Sequence, residues 1–191
     1  PVERLTSKEY ANQLRRTINL DRASTSSTTG FELSSESPET TAYSVVDGDR
    51  NAVSVIYTIG RSMSVVTGAG FQLNTELGDF HGTPDAYHVG ESGWEGRTQT
   101  NLIGIERNLP APGKRPMSSQ TPTIVAKDGE LFMVTGTPGG RSIISGVVQT
   151  ILHAVDYGLN AQEVVDVGRF HHEWLPDRIR IEENKFSRDT F

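Results

Sequence analysis

With no cysteine in its 191 residues, the chain has hydroxyls, carboxylates and closely spaced glycines as its best tools for chemistry. Thr40 and Thr41 stand in "PETTAYSVV", where a polar, turn-prone segment meets a β-branched run. Threonine suits both a loop and a strand start, so a plain structural reading is available. The chemical reading begins with cleavage of the bond before Thr40. Thr40 would then carry a hydroxyl and a free α-amino group on one residue, a nucleophile with its own base. An α-amino group ordinarily titrates at about 7.7–8.0, close to operating pH, so it can take the hydroxyl proton. Glu76 and Asp79, in "NTELGDF", can converge on one cation or can face solvent from a turn. Gly139 and Gly140, in "TPGGRS", let the backbone approach a ligand closely or let a strand turn into a helix. They do not form a phosphate-binding loop, since the spacing to a Lys-Ser/Thr pair is missing. His171 and His172 lie in "RFHHEWLPD", where Pro176 occupies the position at which HExxH needs its second histidine.

These residues need elements to hold them. Residues 6–19 open with Thr6 as a cap candidate and repeat apolar side chains at Tyr10, Leu14 and Ile18, which predicts a short amphipathic helix. Residues 21–39 are rich in Ser, Thr and Glu and predict a linker or mobile loop. Alternating runs at 41–46 and 52–59 flank "DGDRN", the pattern of a β-hairpin. Residues 61–80 are punctuated by Gly and Ser, and 81–117 hold many Gly and Pro with no sustained period, which reads as a long surface excursion. A second hairpin turns at Asp128-Gly129. Then Ile143, Ile144, Val147, Val148, Ile151, Leu152 and Val155 predict a buried helix, stopped at Gly158 and followed by a short helix from Asn160. Antiparallel strand pairs with helices after them make an α+β layered fold.

Composition narrows the function classes. A net charge of −6 and a pI near 5.4 argue against nucleic acid or an anionic membrane as the main partner, since both call for a basic face. No apolar run approaches the length of a membrane span, and without Cys there is no disulfide framework or thiolate metal site. The chain starts at Pro1 without a Met or a signal-like segment, so it is expected to be a piece of something longer.

"TTAYSVVDGDRNAVSVIYT", "LNTELGDF", "PGKRPMSSQTPTIV", "TGTPGGRSII" and "RFHHEWLPD" occur in this order. Together they resemble the γ-glutamyltranspeptidase family of N-terminal nucleophile hydrolases. The resemblance implies a four-layer αββα sandwich, with residues 1–39 as the end of a large subunit and 40–191 as most of a small one. It implies self-cleavage between Glu39 and Thr40. Thr40 is then the nucleophile, Thr58 a second hydroxyl that steadies it, and Gly139 with Gly140 the oxyanion hole. Glu76 and Asp79 would hold the α-ammonium of a γ-glutamyl group, and Ser118 with Ser119 its α-carboxylate. No cofactor and no metal are implied. The implied partners are the large-subunit segment of the same precursor and a γ-glutamyl small molecule or peptide, with a periplasmic or extracellular location. His171 and His172 are implied to be structural, packing a helix end with Trp174.

The sequence departs from the family at two places. Ala42 stands where the family usually has His, and Gly60 where it commonly has an Asn that helps bind the glutamyl group. The same residues could serve a cephalosporin or glutaryl acylase, a poly-γ-glutamate-processing homologue, or an uncleaved pseudoenzyme. The long polar version of the loop at 81–117, with Tyr87 or Trp94 as its lid aromatic, predicts hydrolysis over transfer, because a mobile lid shields the acyl-enzyme ester poorly from water.

Overall fold

The computed structural model describes residues 2–25, 40–59, 65–80, 108–172 and 177–190. Gly60, Tyr87, Trp94 and Trp174 lie outside these described residues, as do 26–39, most of the expected linker. Where a single helix is predicted over 6–19, the chain forms α1 (Val2–Leu5) and α2 (Lys8–Arg15). Ser7, not Thr6, is the cap of α2: its backbone is extended and its Oγ accepts from the Tyr10 N–H at 3.1 Å. The Thr6 hydroxyl instead donates back to the Val2 carbonyl and closes α1.

The hairpin expected around "DGDRN" is formed by β1 (Thr41–Val46) and β2 (Ala52–Tyr57), antiparallel, with Val46 opposite Ala52. Its turn is held from one side chain. Asp47 Oδ1 accepts from the backbone N–H of Asp49 and of Asn51, and Arg50 takes the left-handed conformation that reverses the chain. Two further short strands, β3 (Val65–Val66) and β4 (Phe71–Gln72), pair within the stretch that shows only punctuation in the sequence. The second long hairpin, β5 (Thr123–Lys127) and β6 (Glu130–Thr135), turns through Asp128 and Gly129, both at positive φ. Such a two-residue turn matches the strand twist. A bulge between Val125 and Ala126 shifts its register.

The hairpins lie against each other: the Ser54 hydroxyl donates to the Thr135 carbonyl at 2.7 Å, and Arg50 donates to the Leu131 carbonyl. Gly136 allows this approach, because a Cβ there would meet Ile56 Cγ1 at 3.3 Å and the Ala42 Cβ at 3.6 Å. On this seam sits α3 (Ser142–Val155), which contributes Ile143 and Val147 to a core with Ile56, flanked by Ala42 and Ile151. Full burial of each such side chain stabilises by about 1.5–3 kcal/mol. The helix is not buried all round, as its composition predicts: Ile144, Val148, Leu152 and Val155 are about half exposed. Only the face carrying Ile143 and Val147 meets the hairpins.

After Gly158, at φ +68°, a capping box of Asn160 and Glu163 starts α4 (Ala161–Asp166). Last come β7 (Phe170–His171) and β8 (Arg180–Ile181), a pair with no strand signal in the sequence. Gln149 of α3 fixes β7 by accepting from the Phe170 N–H and donating to its carbonyl. His171 is buried there, with Nδ1 2.7 Å from Ser145 Oγ. His172 turns outward to Asp177 at 3.0 Å. Among the described residues no three His, Asp or Glu side chains gather as a metal set, and no helix is long and apolar enough to cross a membrane.

Candidate active site

Strand register is what brings the two threonines together. Thr41 pairs with Tyr57 at the end of the β1–β2 ladder. One step further out, antiparallel geometry sets residue 40 opposite residue 58. Their hydroxyls meet: Thr40 Oγ1 is 2.9 Å from Thr58 Oγ1, and both residues are partly buried. Such a bond contributes about 0.5–1.5 kcal/mol between neutral groups and about 1.5–3 kcal/mol when one partner is charged.

The acidic turn is docked on the same strand end. Thr75 donates its backbone N–H to the Thr58 carbonyl at 2.8 Å, and its hydroxyl reaches the same oxygen at 3.3 Å. A single 3₁₀ turn, Glu76–Asp79, follows directly. From the other side Asn108 braces this turn. Its Nδ2 donates to the Asp79 carbonyl at 2.7 Å while its Oδ1 accepts from the Met117 N–H at 2.8 Å. Asn108 is buried, so it braces the turn from within the stretch read as a surface excursion over 81–117, of which residues 110–115 and 117 are exposed.

The serines divide. Ser119 is buried and donates to the Gly140 carbonyl at 2.9 Å, tying the segment before β5 to the turn before α3. Ser118 is exposed and accepts from the Gln120 N–H at 3.2 Å. Gly139 and Gly140 both have positive φ, +134° and +55°, on the way into α3. A Cβ at Gly139 would lie 2.6 Å from Ser142 Oγ, so the position excludes larger residues on two grounds.

Between these pieces lies a cleft lined by Thr40, Thr58, Asp79, Ser119, Gln120, Gly140 and Ile143. Thus Thr40, Thr58, Asp79, Ser119 and Gly140 of the sequence-predicted set share one wall. Glu76 joins them through Gln120, whose Nε2 donates to Glu76 Oε1 at 2.6 Å and to Thr58 Oγ1 at 3.3 Å. Ser118 and Gly139 stand beside the cleft rather than in its wall. Gln120 and Asn108 are the residues that sequence reasoning missed. Gln120 directly follows the serine pair, and that adjacency was the one available signal. Asn108 had none, because its work depends on two segments meeting around it.

A neutral hydroxyl pair with a carboxylate and backbone turns around it suits nucleophilic attack on a carbonyl. Comparison with known proteins points the same way. The family model for γ-glutamyltranspeptidase matches residues 1–191. The chain is 42% identical over 195 residues to the glutathione hydrolase proenzyme of Escherichia coli strain K12, covering 100% of this chain and 32% of that protein. It thus spans about a third of the length of the curated relatives it matches. Among solved structures, an acivicin-inhibited γ-glutamyltranspeptidase, whose C-terminus has critical roles in autoprocessing and catalysis, aligns with TM-score 0.62 and 42% identity over 78% of this chain and 76% of that one. The γ-glutamyltranspeptidase of Pseudomonas nitroreducens complexed with L-DON aligns with TM-score 0.55 and 37% identity over 71% and 67%. The α+β fold is therefore that of the N-terminal nucleophile hydrolases of this kind.

Proposed function

The chain belongs to the γ-glutamyltranspeptidase family, and from that premise we propose that it carries the catalytic half of a self-processing γ-glutamyl hydrolase and transferase acting on compounds such as glutathione. The observation that carries this reading is the hydroxyl pair of Thr40 and Thr58, 2.9 Å apart, in a cleft whose wall includes the Asp79 side of the acidic turn. The names of the relatives, glutathione hydrolase proenzymes, supply the reaction class and the precursor.

In the precursor, Thr40 Oγ attacks the Glu39 carbonyl carbon, and the peptide nitrogen leaves as the acyl group moves to oxygen. That shift frees the α-amino group of Thr40, and water then hydrolyses the resulting ester, releasing the Glu39 carboxylate and restoring the Thr40 hydroxyl. Residues 1–39 then end the large subunit and 40–191 belong to the small one. In the mature protein the amine takes the Thr40 hydroxyl proton as Oγ attacks the γ-amide carbon of the donor. Backbone N–H groups of Gly139 and Gly140 stabilise the oxyanion at the start of α3. The amine returns its proton to the departing amide nitrogen, leaving a γ-glutamyl ester that water or an amino acid resolves.

Glu76 and Asp79 take the α-ammonium of the donor. Ser118 and Ser119 take its α-carboxylate, for which the Ser119 proton must turn away from the Gly140 carbonyl that it meets at 2.9 Å. The large-subunit segment of the same precursor is the natural cover for the half-exposed face of α3, because the relatives are about three times as long as this chain. A periplasmic or extracellular location belongs to the same reading.

The test uses the full-length protein. Mass spectrometry should find a fragment beginning with Thr40, and the protein should release product from a γ-glutamyl anilide. Thr40→Ala should stay whole and inactive. Cleavage at the same bond in Thr40→Ala refutes self-processing, and turnover by that variant refutes the nucleophile.

A further inference from the structure

Gln120 has no assigned part in the reading above, yet it joins the two halves of the site. An ionised Glu76 carboxylate only accepts hydrogen bonds. The amide of Gln120 therefore presents its NH₂ group to Glu76 Oε1, at 2.6 Å, rather than its oxygen. The second hydrogen of that nitrogen faces Thr58 Oγ1 at 3.3 Å. With Thr58 Oγ1 receiving from Gln120, Thr40 Oγ1, at 2.9 Å, is an acceptor within reach of the Thr58 hydroxyl hydrogen.

The Thr40–Thr58 contact by itself has no direction, since either oxygen could donate. Directed this way, Thr58 donates and Thr40 accepts. Thr40 Oγ1 then carries a hydrogen bond that strengthens as negative charge develops on it, and its own proton stays available to a base. The reverse direction would consume the Thr40 proton in a bond to Thr58 and work against attack.

We propose that Gln120 is a positioning residue that, anchored on Glu76, orients the Thr58 hydroxyl toward Thr40 and so sets the nucleophilicity of Thr40. The inference rests on the proposed role of Thr40 as nucleophile but not on the γ-glutamyl substrate.

The experiment is covalent labelling of the processed full-length protein by phenylmethanesulfonyl fluoride, which has neither ammonium nor carboxylate, with the modified residue located by mass spectrometry. Thr40 should be labelled in the parent, and about tenfold more slowly in Gln120→Met, the scale of one lost neutral hydrogen bond. Gln120→Leu should give the same answer if the methionine variant folds poorly. The double variant Gln120→Met/Thr58→Val should be no slower than Thr58→Val alone, because Gln120 acts through Thr58; a merely structural role would make the two losses multiply. Labelling within about twofold of the parent in Gln120→Met, multiplying losses, or no labelling of Thr40 in the parent would each overturn the proposal. Labelling that depends on Gln120 in a protein that does not turn over γ-glutamyl anilides would uphold the inference and sink the substrate reading. Good turnover with labelling indifferent to Gln120 would do the reverse.

Discussion

Replacing Thr58 by Val removes one oxygen and keeps the β-branched shape at the end of β2, so it isolates what that hydroxyl does. In the resting protein Thr58 Oγ1 meets Thr40 Oγ1 at 2.9 Å and Gln120 Nε2 at 3.3 Å among the described residues. Both join neutral groups, and the site is only partly buried, so the folded protein should lose no more than about 1–2 kcal/mol. The transition state is different, because the Thr40 oxygen then carries developing negative charge as its proton leaves. A hydrogen bond to a charged partner is worth about 1.5–3 kcal/mol, which corresponds to about 10- to 150-fold in rate. The prediction is therefore a selective effect. Acylation by a γ-glutamyl anilide, followed in a single turnover, slows by that factor, while thermal melting moves by only a few degrees. Thr58→Ser, which restores the hydroxyl, should recover most of the rate. Acylation by Thr58→Val within about threefold of the parent would refute the idea that this hydroxyl supports attack. A melting temperature that collapses together with the rate would refute the claim that its role is local.

Asp79→Asn should raise KM for γ-glutamyl anilides by about 30-fold or more, since losing one side of a desolvated charge contact costs at least about 2 kcal/mol; an unchanged kcat/KM would point to a donor without an amino group. Gly139→Ala forces a side chain into φ +134°, at about 1–3 kcal/mol of strain, and displaces the Ser142 hydroxyl, 2.6 Å from the new Cβ. Both melting temperature and kcat should fall, and a fully active, equally stable variant would show that this turn does not hold the site. Ile143→Ala, which empties the position shared by the core and the cleft wall, should destabilise by about 2–5 kcal/mol in chemical denaturation; a loss under about 1 kcal/mol would mean that the core collapses around the gap. The Asp47 carboxyl is held below its ordinary value of 3.8, first by the Asn51 side chain and then by backbone N–H groups. Its stabilisation of the turn is therefore complete above that ordinary value and is lost as pH falls through the lower folded one. Exchange of the Asp49 and Asn51 amides should accelerate in that acidic window, and the acceleration should vanish in Asp47→Ala.

Local chemistry was legible from the sequence alone. Strand alternation marked both long hairpins, Asp128-Gly129 marked its turn, and Gly158 with Asn160 marked the passage from α3 to α4, because each signal acts within a few residues of backbone. The ordered motifs also named the residues worth watching. Tertiary structure decided how those residues meet. The pairing of Thr40 with Thr58 follows from a register that composition does not state, since a slip of one residue would turn the strand over. The serine pair looked equivalent and is not, because only Ser119 reaches the Gly140 carbonyl while Ser118 serves its own turn. The apolar residues of α3 predict a buried helix, yet only Ile143 and Val147 join the core with Ile56, while Ile144, Val148, Leu152 and Val155 stay about half exposed. Asn108 carried no sequence signal, and Gln120 only its place after the serine pair, for the same physical reason. Hydrogen bonds between segments far apart in the chain depend on where the fold carries each segment, and a local pattern does not encode that.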